Sequence, residues 1–290
     1  MPSLVDLTYS NDRKPKVEPA PEPSAPPITD AEFAQFQALL RGITGIHLSE
    51  FKKTLLVARL SSRLRARKAR TFTEYYKIIR HPLETEELQL AINHLTTNET
   101  FFFREPEHFQ VVKDFIGSLR PLPTPFRVWS AASSSGEEAY SIAMVLADVL
   151  GGASWEVIGS DISTRVLDRA RAGLYPLERN GGIPKDYLHR FCLKGQGAQE
   201  GMMLIGKQLR ERVHFAQVNL NEPIPDLGRF DLIFLRNILI YFQNDQKRKV
   251  VEAVLPKLHP HGLLIVGHSE NLMGVSDRVR QVRPTVYRVS

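Results

Sequence analysis

Apolar positions follow two different rhythms along this chain. Between residues 29 and 95 they recur every three or four positions, which gathers them on single faces of helices. Ile28-Thr-Asp-Ala-Glu-Phe33 opens the first helix, with Thr29 and Glu32 as a capping box and Ile28 able to staple onto Phe33. A second helix over about Ser49 to Lys68 carries Leu56, Leu60 and Leu64 on one face; a third opens with the capping box Thr71-Phe-Thr-Glu74, and a fourth spans about Leu83 to Leu95. These predict a small all-helical domain over 29–95.

Beyond residue 125 the rhythm changes to short apolar runs separated by helical stretches. Arg127-Val-Trp-Ser-Ala-Ala, Trp155-Glu-Val-Ile-Gly-Ser-Asp161, Val213-His-Phe-Ala-Gln-Val-Asn219-Leu and Phe230-Asp-Leu-Ile-Phe-Leu-Arg-Asn237-Ile read as strands, with last strands near Gly262 to His268 and Thr285 to Val289. Strands alternating with helices predict a doubly wound α/β domain over 109–290, reached through a linker over 96–108. An interruption over 175–209, in which Arg190-Phe-Cys-Leu and Met202-Met-Leu-Ile flank Gly195-Gln-Gly-Ala-Gln-Glu-Gly201, reads as a β-hairpin insert.

The strand ends carry the candidate chemistry. The first strand breaks at Ser133 to Gly136 and continues as a helix through Ala139, Ile142, Ala143 and Leu146. Small residues there let backbone approach a ligand, and the first N–H groups of a helix are unpaired. The second strand ends in Asp161, which reads either as the N-cap of the helix that follows or as an acid placed as the ribose ligand is in doubly wound folds. Asn219 and Asn237 end the next two, and an Asn side chain both donates and accepts.

Composition narrows the class. With 42% hydrophobic content over 290 residues the chain can build one large core and a small domain, and no run approaches the length of a membrane span. No apolar leader is visible, and the lone Cys192 excludes an internal disulfide and makes a zinc site improbable. Residues 1–28 hold seven of the 19 prolines and few large apolar side chains, so a disordered tail is expected. The net charge of +6 belongs to one patch: Arg41 to Arg80 holds 11 Lys or Arg against 2 acids, a local +9, which leaves the rest at −3. Arg59, Arg63, Arg67 and Arg70 fall at helical spacing, and the stripe is expected opposite the leucines.

Five ordered motifs carry a family resemblance. They are Leu95-Thr-Thr-Asn-Glu-Thr-Phe-Phe-Phe-Arg-Glu, Trp129-Ser-Ala-Ala-Ser-Ser-Ser-Gly-Glu-Glu-Ala-Tyr-Ser-Ile-Ala, Gly159-Ser-Asp-Ile, Phe234-Leu-Arg-Asn-Ile-Leu-Ile-Tyr-Phe and Gly267-His-Ser-Glu-Asn. From about Phe33 to Val289 the chain resembles the chemotaxis-receptor protein-glutamate O-methyltransferases, CheR. Ala139 departs from the Pro usual in the family at the first helical turn, and either residue suits a helix start.

The resemblance implies a class I S-adenosylmethionine-dependent methyltransferase domain, Rossmann-like, with a small antiparallel β-hairpin insert and an all-α domain before it. It implies S-adenosylmethionine as cofactor, S-adenosylhomocysteine as product and no metal. By position, Glu138 resembles the carboxylate that pairs with the cofactor's ammonium and Asp161 the ribose ligand. Asn219 with Leu220 and Asn237 with Ile238 wall the adenosine. Asn98, Thr100 and Arg104 close over the cofactor, with Arg104 either clamping its carboxylate or orienting the incoming glutamate, and Tyr241 is similar to the family tyrosine near the methyl group. The implied substrate is the acidic helical region of chemoreceptors, docked by Arg59, Arg63, Arg67 and Arg70. Gly195, Gly197 and Gly201 match a spacing that goes with binding of a receptor's C-terminal peptide. A cytoplasmic monomer recruited to membrane receptor arrays, without membrane insertion, is expected.

Two rival readings differ in class. A nucleic-acid methyltransferase would account for the basic patch, yet the stripe lacks interleaved aromatics and no strand end carries the Asp/Asn-Pro-Pro-aromatic motif that holds a flipped base. A non-catalytic adapter would have no need of Glu138, Asp161, Arg104 and Tyr241 together.

Overall fold

A computed structural model describes residues 26–290, so most of the expected proline-rich tail, 1–25, lies outside the described residues. The first helices are α1 (Asp30–Thr44), α2 (Lys53–Ala66), α3 (Phe72–Ile79) and α4 (Thr85–Leu95). The capping box that opens α1 is complete: Thr29 accepts from the Glu32 backbone and Glu32 accepts from the Thr29 N–H. At α3 only half forms, because the Glu74 carboxylate turns to the Arg70 N–H at 2.7 Å instead of reaching Thr71. Ile28, Phe33, Phe36, Leu56, Leu60, Leu64, Phe72 and Tyr75 meet in one buried core, so the leucine face of α2 points inward as its spacing predicts.

The larger domain follows as α5 (Glu107–Ser118), β1 (Phe126–Ser130), α6 (Glu137–Leu150), β2 (Trp155–Asp161), α7 (Thr164–Ala172), β3 (Leu174–Pro176), α8 (Lys185–Phe191), β4 (Cys192–Lys194), β5 (Met202–Ile205), α9 (Lys207–Arg210), β6 (Val213–Gln217), β7 (Phe230–Leu235), α10 (Asn244–Val254), β8 (Leu258–Val266), β9 (Val279–Arg283) and β10 (Val286–Val289). Its main sheet runs β6-β2-β1-β7-β8-β10-β9, parallel from β6 to β8 and antiparallel at β10 and β9. The apolar faces of α5 and α6 cover one side and α10 the other. From β1 the chain winds outward through β2 to β6, then returns to pair β7 on the other flank of β1. That reversal is the switch point where doubly wound sheets open a crevice beyond the strand ends.

The insert differs from a plain hairpin. Arg190 and Phe191 end α8 and do not begin a strand, and β5 lies between β3 and β4 in a three-stranded antiparallel sheet. The third strand escaped the sequence because Leu174-Tyr-Pro176 is too short to show an alternation. Strand β9 was likewise missed, since Val279-Arg-Gln-Val-Arg283 is a mostly exposed edge without an apolar face.

The two domains share an interface at the crevice. Gln89 and Asn93 of α4 donate to the Ile162 carbonyl and the Thr164 hydroxyl at 3.1 and 2.9 Å. The His47 N–H donates to the Tyr241 carbonyl at 2.8 Å.

Candidate functional site

The turn after β1 is shaped by its backbone. Gly136 has φ 95°, and a Cβ there would come within 2.8 Å of the Ala170 side chain, so only glycine fits. α6 then starts directly under the strand ends and places Glu138 at the crevice. Asp161, at the end of β2, accepts from the Ser134 N–H at 3.0 Å and the Ser163 N–H at 2.9 Å. It therefore ties the turn after β1 to the turn after β2. Ser163, not Asp161, occupies the N-cap position of α7.

The linker crosses above these strand ends. Ser134 donates its hydroxyl to the Asn98 carbonyl at 2.9 Å, and the Phe103 N–H donates to the Ser141 hydroxyl at 3.0 Å. Phe102 and Phe103 are buried as packing residues, whereas Phe101 is 48% exposed and lies under the Arg104 guanidinium, 5.6 Å from ring centroid to carbon. The three aromatics thus divide between seating the linker and facing the pocket.

Together these elements enclose a pocket of about 230 Å³. Of the residues expected at the site, Asn98, Thr100, Arg104, Glu138, Asp161, Asn237, Ile238 and Tyr241 line it. Asn219 and Leu220 stand instead in an adjoining cavity of about 40 Å³ that shares Asp161 and Ile238 with it. The Asn219 amide is engaged, since it donates to the Ile43 carbonyl at 2.8 Å and accepts from the Asn221 N–H at 3.0 Å. Tyr241 is half-buried on a short 3-10 turn, Leu239–Tyr241. Arg104 donates to the Glu99 carbonyl at 3.2 Å and has no ion-pair partner among the described residues.

A buried ionic centre lies beneath the pocket. Arg236, 4% exposed, reaches Glu138 at 2.9 Å, Glu105 at 3.0 Å and the Arg104 carbonyl at 2.5 Å. Ser130 donates its hydroxyl to the other Glu138 oxygen at 2.7 Å. Burial raises the Glu138 carboxyl above its usual range, opposed by Arg236 and Ser130. Burial likewise pushes Asp161 up to about 6, against the two N–H groups it accepts. Sequence reasoning missed Arg236 because its partners, Glu138 and Glu105, lie far away along the chain and no local pattern marks it.

It also gave no role to Glu270. That carboxylate accepts from the Asn237, Leu239 and Gly267 N–H groups at 2.8, 2.7 and 2.7 Å. The Gly267-His-Ser-Glu turn therefore clamps the end of β7 and fixes where Asn237, Ile238 and Tyr241 stand. Asn237 takes a left-handed backbone with φ 56°, which Asn tolerates better than most side chains.

Glu105, His108 and His268 offer oxygen and nitrogen atoms within 4.8 Å of one another. Arg236 already supplies the positive charge against Glu105, and burial holds His108 down at about 4.

The basic stripe is corrected by the structure. At about 100° per residue, a residue three positions after a leucine lies about 60° from it, beside the leucine face rather than opposite. Arg63 consequently grips Glu87 through two hydrogen bonds of 3.0 and 2.5 Å, and Arg67 grips Glu84 at 2.7 and 2.6 Å, both acids belonging to or bordering α4. These two arginines brace the helical domain. Arg59 donates to the Leu95 carbonyl at 2.7 Å and lines the pocket, while Arg70 lies exposed beyond the end of α2. Gly195, Gly197 and Gly201 form the turn between β4 and β5, where a Cβ on Gly195 would come within 1.9 Å of the Gln199 carbonyl oxygen.

The donor set suits S-adenosylmethionine. Asp161 is a buried acid and Glu138 a largely buried one, and the oxygens of each keep a lone pair after their internal bonds, fit for a ribose diol and an ammonium. Ile46 and Ile238 give apolar walls. Fold and site together define a class I S-adenosylmethionine-dependent methyltransferase. The chain belongs to the CheR family: residues 31–96 match the family description "CheR methyltransferase, all-alpha domain" and residues 98–288 match "CheR methyltransferase, SAM binding domain". It is similar to "Chemotaxis protein methyltransferase 2" of Pseudomonas aeruginosa, 42% identical over 262 residues that cover 89% of this chain and 93% of that one. It is also similar to "Chemotaxis protein methyltransferase" of Escherichia coli, 39% identical over 268 residues covering 91% and 92%. S-adenosylmethionine-dependent methylation in chemotaxis is its activity.

Proposed function

We propose that this chain methylates glutamate side-chain carboxylates of chemoreceptors, giving glutamyl methyl esters and S-adenosylhomocysteine in chemotaxis adaptation. The supporting observation is Arg104, a guanidinium at the pocket mouth with no carboxylate partner among the described residues, placed where an incoming carboxylate would meet it. A glutamate side chain has a pKa of about 4.3, so at neutral pH the nucleophile needs no general base. The residues of this pocket therefore position and desolvate. When bound, the cofactor would supply a sulfonium methyl group for transfer to the carboxylate oxygen, leaving S-adenosylhomocysteine. Arg104 would hold and orient that carboxylate. Tyr241 lines the same pocket, with the phenol near Arg59.

Receptor recruitment follows from two surfaces. Of the basic stripe, Arg59 and Arg70 have no acid partner among the described residues, and their charge would steer an acidic receptor helix. Strand β4 is an edge of the small sheet with Leu193 59% exposed, and an extended receptor C-terminal peptide would add to it as a strand beside the Gly195 to Gly201 turn. Such a tether would act through effective concentration. The chain works as a monomer in the cytoplasm at receptor arrays; no helix among the described residues is long and apolar enough to cross a membrane. Incubation with labelled S-adenosylmethionine, total membrane protein and RNA tests the substrate. Base-labile methyl ester on membrane protein is expected, and label that stays on RNA would overturn the reading.

A further inference from the structure

A second cleft, of about 310 Å³, opens between α4, the linker and α7. Arg59, Arg165, Arg169 and Arg179 line it with His94, and no carboxylate does. Burial, with Arg165 and Arg63 nearby, holds His94 below the usual histidine range, so the positive charge there belongs to the arginines. Three of the four are partly committed: Arg59 to the Leu95 carbonyl and the Thr97 hydroxyl, Arg179 to Glu137, which is buried behind it at 3.2 Å, and Arg165 through one donor to the Asn93 carbonyl at 3.0 Å. The exposed Arg169 side chain has no partner among the described residues. The cleft shares Arg59, Thr96 and Asn98 with the catalytic pocket, so one segment lying across the linker can reach both.

We propose that this cleft seats a second acidic side chain of the protein being methylated, with Arg165 and Arg169 as its cations. The proposal rests on the glutamate-methylating reading above and assigns where the substrate's neighbouring charge goes. A helical substrate repeats its side chains every 1.5 Å of rise, so an acid one or two turns from the reacting glutamate lies about 5–11 Å along the same face. Charge complementarity selects the occupant: unneutralised guanidinium groups stand next to a pocket built for a carboxylate. No Phe, Tyr or Trp lines the cleft, so nothing there stacks a nucleobase.

The experiment measures binding of a short fluorescent oligoglutamate, and of a single-stranded RNA of equal charge, to the full chain and to Arg169→Glu, Arg169→Ala and Arg280→Glu. Arg280 is exposed on β9, so its variant carries the same change of net charge away from the cleft. Arg169→Glu should weaken oligoglutamate about tenfold or more at low salt and flatten the salt dependence. Arg169→Ala should shift it less in the same direction, and Arg280→Glu should leave it near the parent value. S-adenosylmethionine affinity should be unchanged in all three, and in methyl transfer Arg169→Glu should raise KM while sparing kcat. Equal losses for Arg169→Glu and Arg280→Glu, or tighter binding of RNA than of oligoglutamate, would overturn the proposal. The two readings fail separately: selective loss of oligoglutamate binding, with no methyl ester formed on any acidic protein, keeps the cleft and sinks the glutamate reaction. Unchanged binding with transfer intact does the reverse.

Discussion

Arg63 and Arg236 each hold glutamates of the same chain, but in different surroundings. Arg63 keeps 20% of its side chain exposed and braces α2 on α4, where Tyr75 also donates to Glu87 at 2.7 Å and Arg67 stands behind it. Its Glu87 is held below the usual carboxylate range: burial alone would raise it, and the bonds from Arg63 and Tyr75 outweigh that. Arg236 keeps 1% of its side chain exposed and joins Glu138, Glu105 and the linker carbonyl beneath the pocket. Here burial wins, and Glu138 lies above the usual range. The first is a buried carboxylate held by several donors through a partly exposed arginine; the second is a hub, a buried arginine shared by two carboxylates, of which Glu105 is held below the usual range and Glu138 lies above it. A site poised in that way gains when a cationic ligand arrives.

The sharpest way to break the contrast is to remove the hub cation. Arg236→Met leaves Glu138 and Glu105 buried with their partner gone, and stability should fall by about 3–5 kcal/mol in urea denaturation. A near-parent midpoint with cofactor binding abolished would make Arg236 a ligand group in place of a structural one. Next in size, Arg104→Lys keeps the charge at the mouth and loses the fork, so methyl transfer should drop roughly a hundredfold with thermal stability unchanged. Near-normal turnover would remove Arg104 from substrate positioning.

The pH dependence sharpens the same comparison. Asp161 is held at about 6 by burial, and ribose hydroxyls bond best to its ionised form. Cofactor affinity should therefore be flat above pH 7 and weaken roughly tenfold per unit as pH falls below 6, as calorimetric titration would read. An unchanged affinity at pH 5 would show that Asp161 meets the cofactor as a neutral acid. Smallest of all, Arg63→Gln should cost about 1 kcal/mol of stability, because Tyr75 and Arg67 still serve Glu87. Cofactor affinity should not move; if it falls, the brace and the hub are coupled through α4.

Helix starts, the alternation of strands and helices, and Glu138, Asp161, Arg104 and Asn237 as pocket residues were legible because each rests on a local pattern. Thr29 and Glu32 lie three residues apart and meet whatever else the chain does. The glycine-ended turn after β1 and the acid ending β2 are single-segment signals as well. What a charged side chain pairs with is a different matter. Arg63 and Glu87 are 24 residues apart, Arg236 and Glu138 98, and no local rhythm tells a solvated arginine from a bracing or a buried one. Glu270, placed under the end of β7 from 33 residues away, could not be seen for the same reason. The sequence by itself determined the helical domain, the alternation of strands and helices apart from β3, α8 and β9, and the residues at the strand ends. Only the tertiary structure decided which cations are spent on the protein's own acids and which, like Arg104 and Arg169, stand without an acid partner among the described residues, because pairing depends on which surfaces the packed cores bring within hydrogen-bond reach.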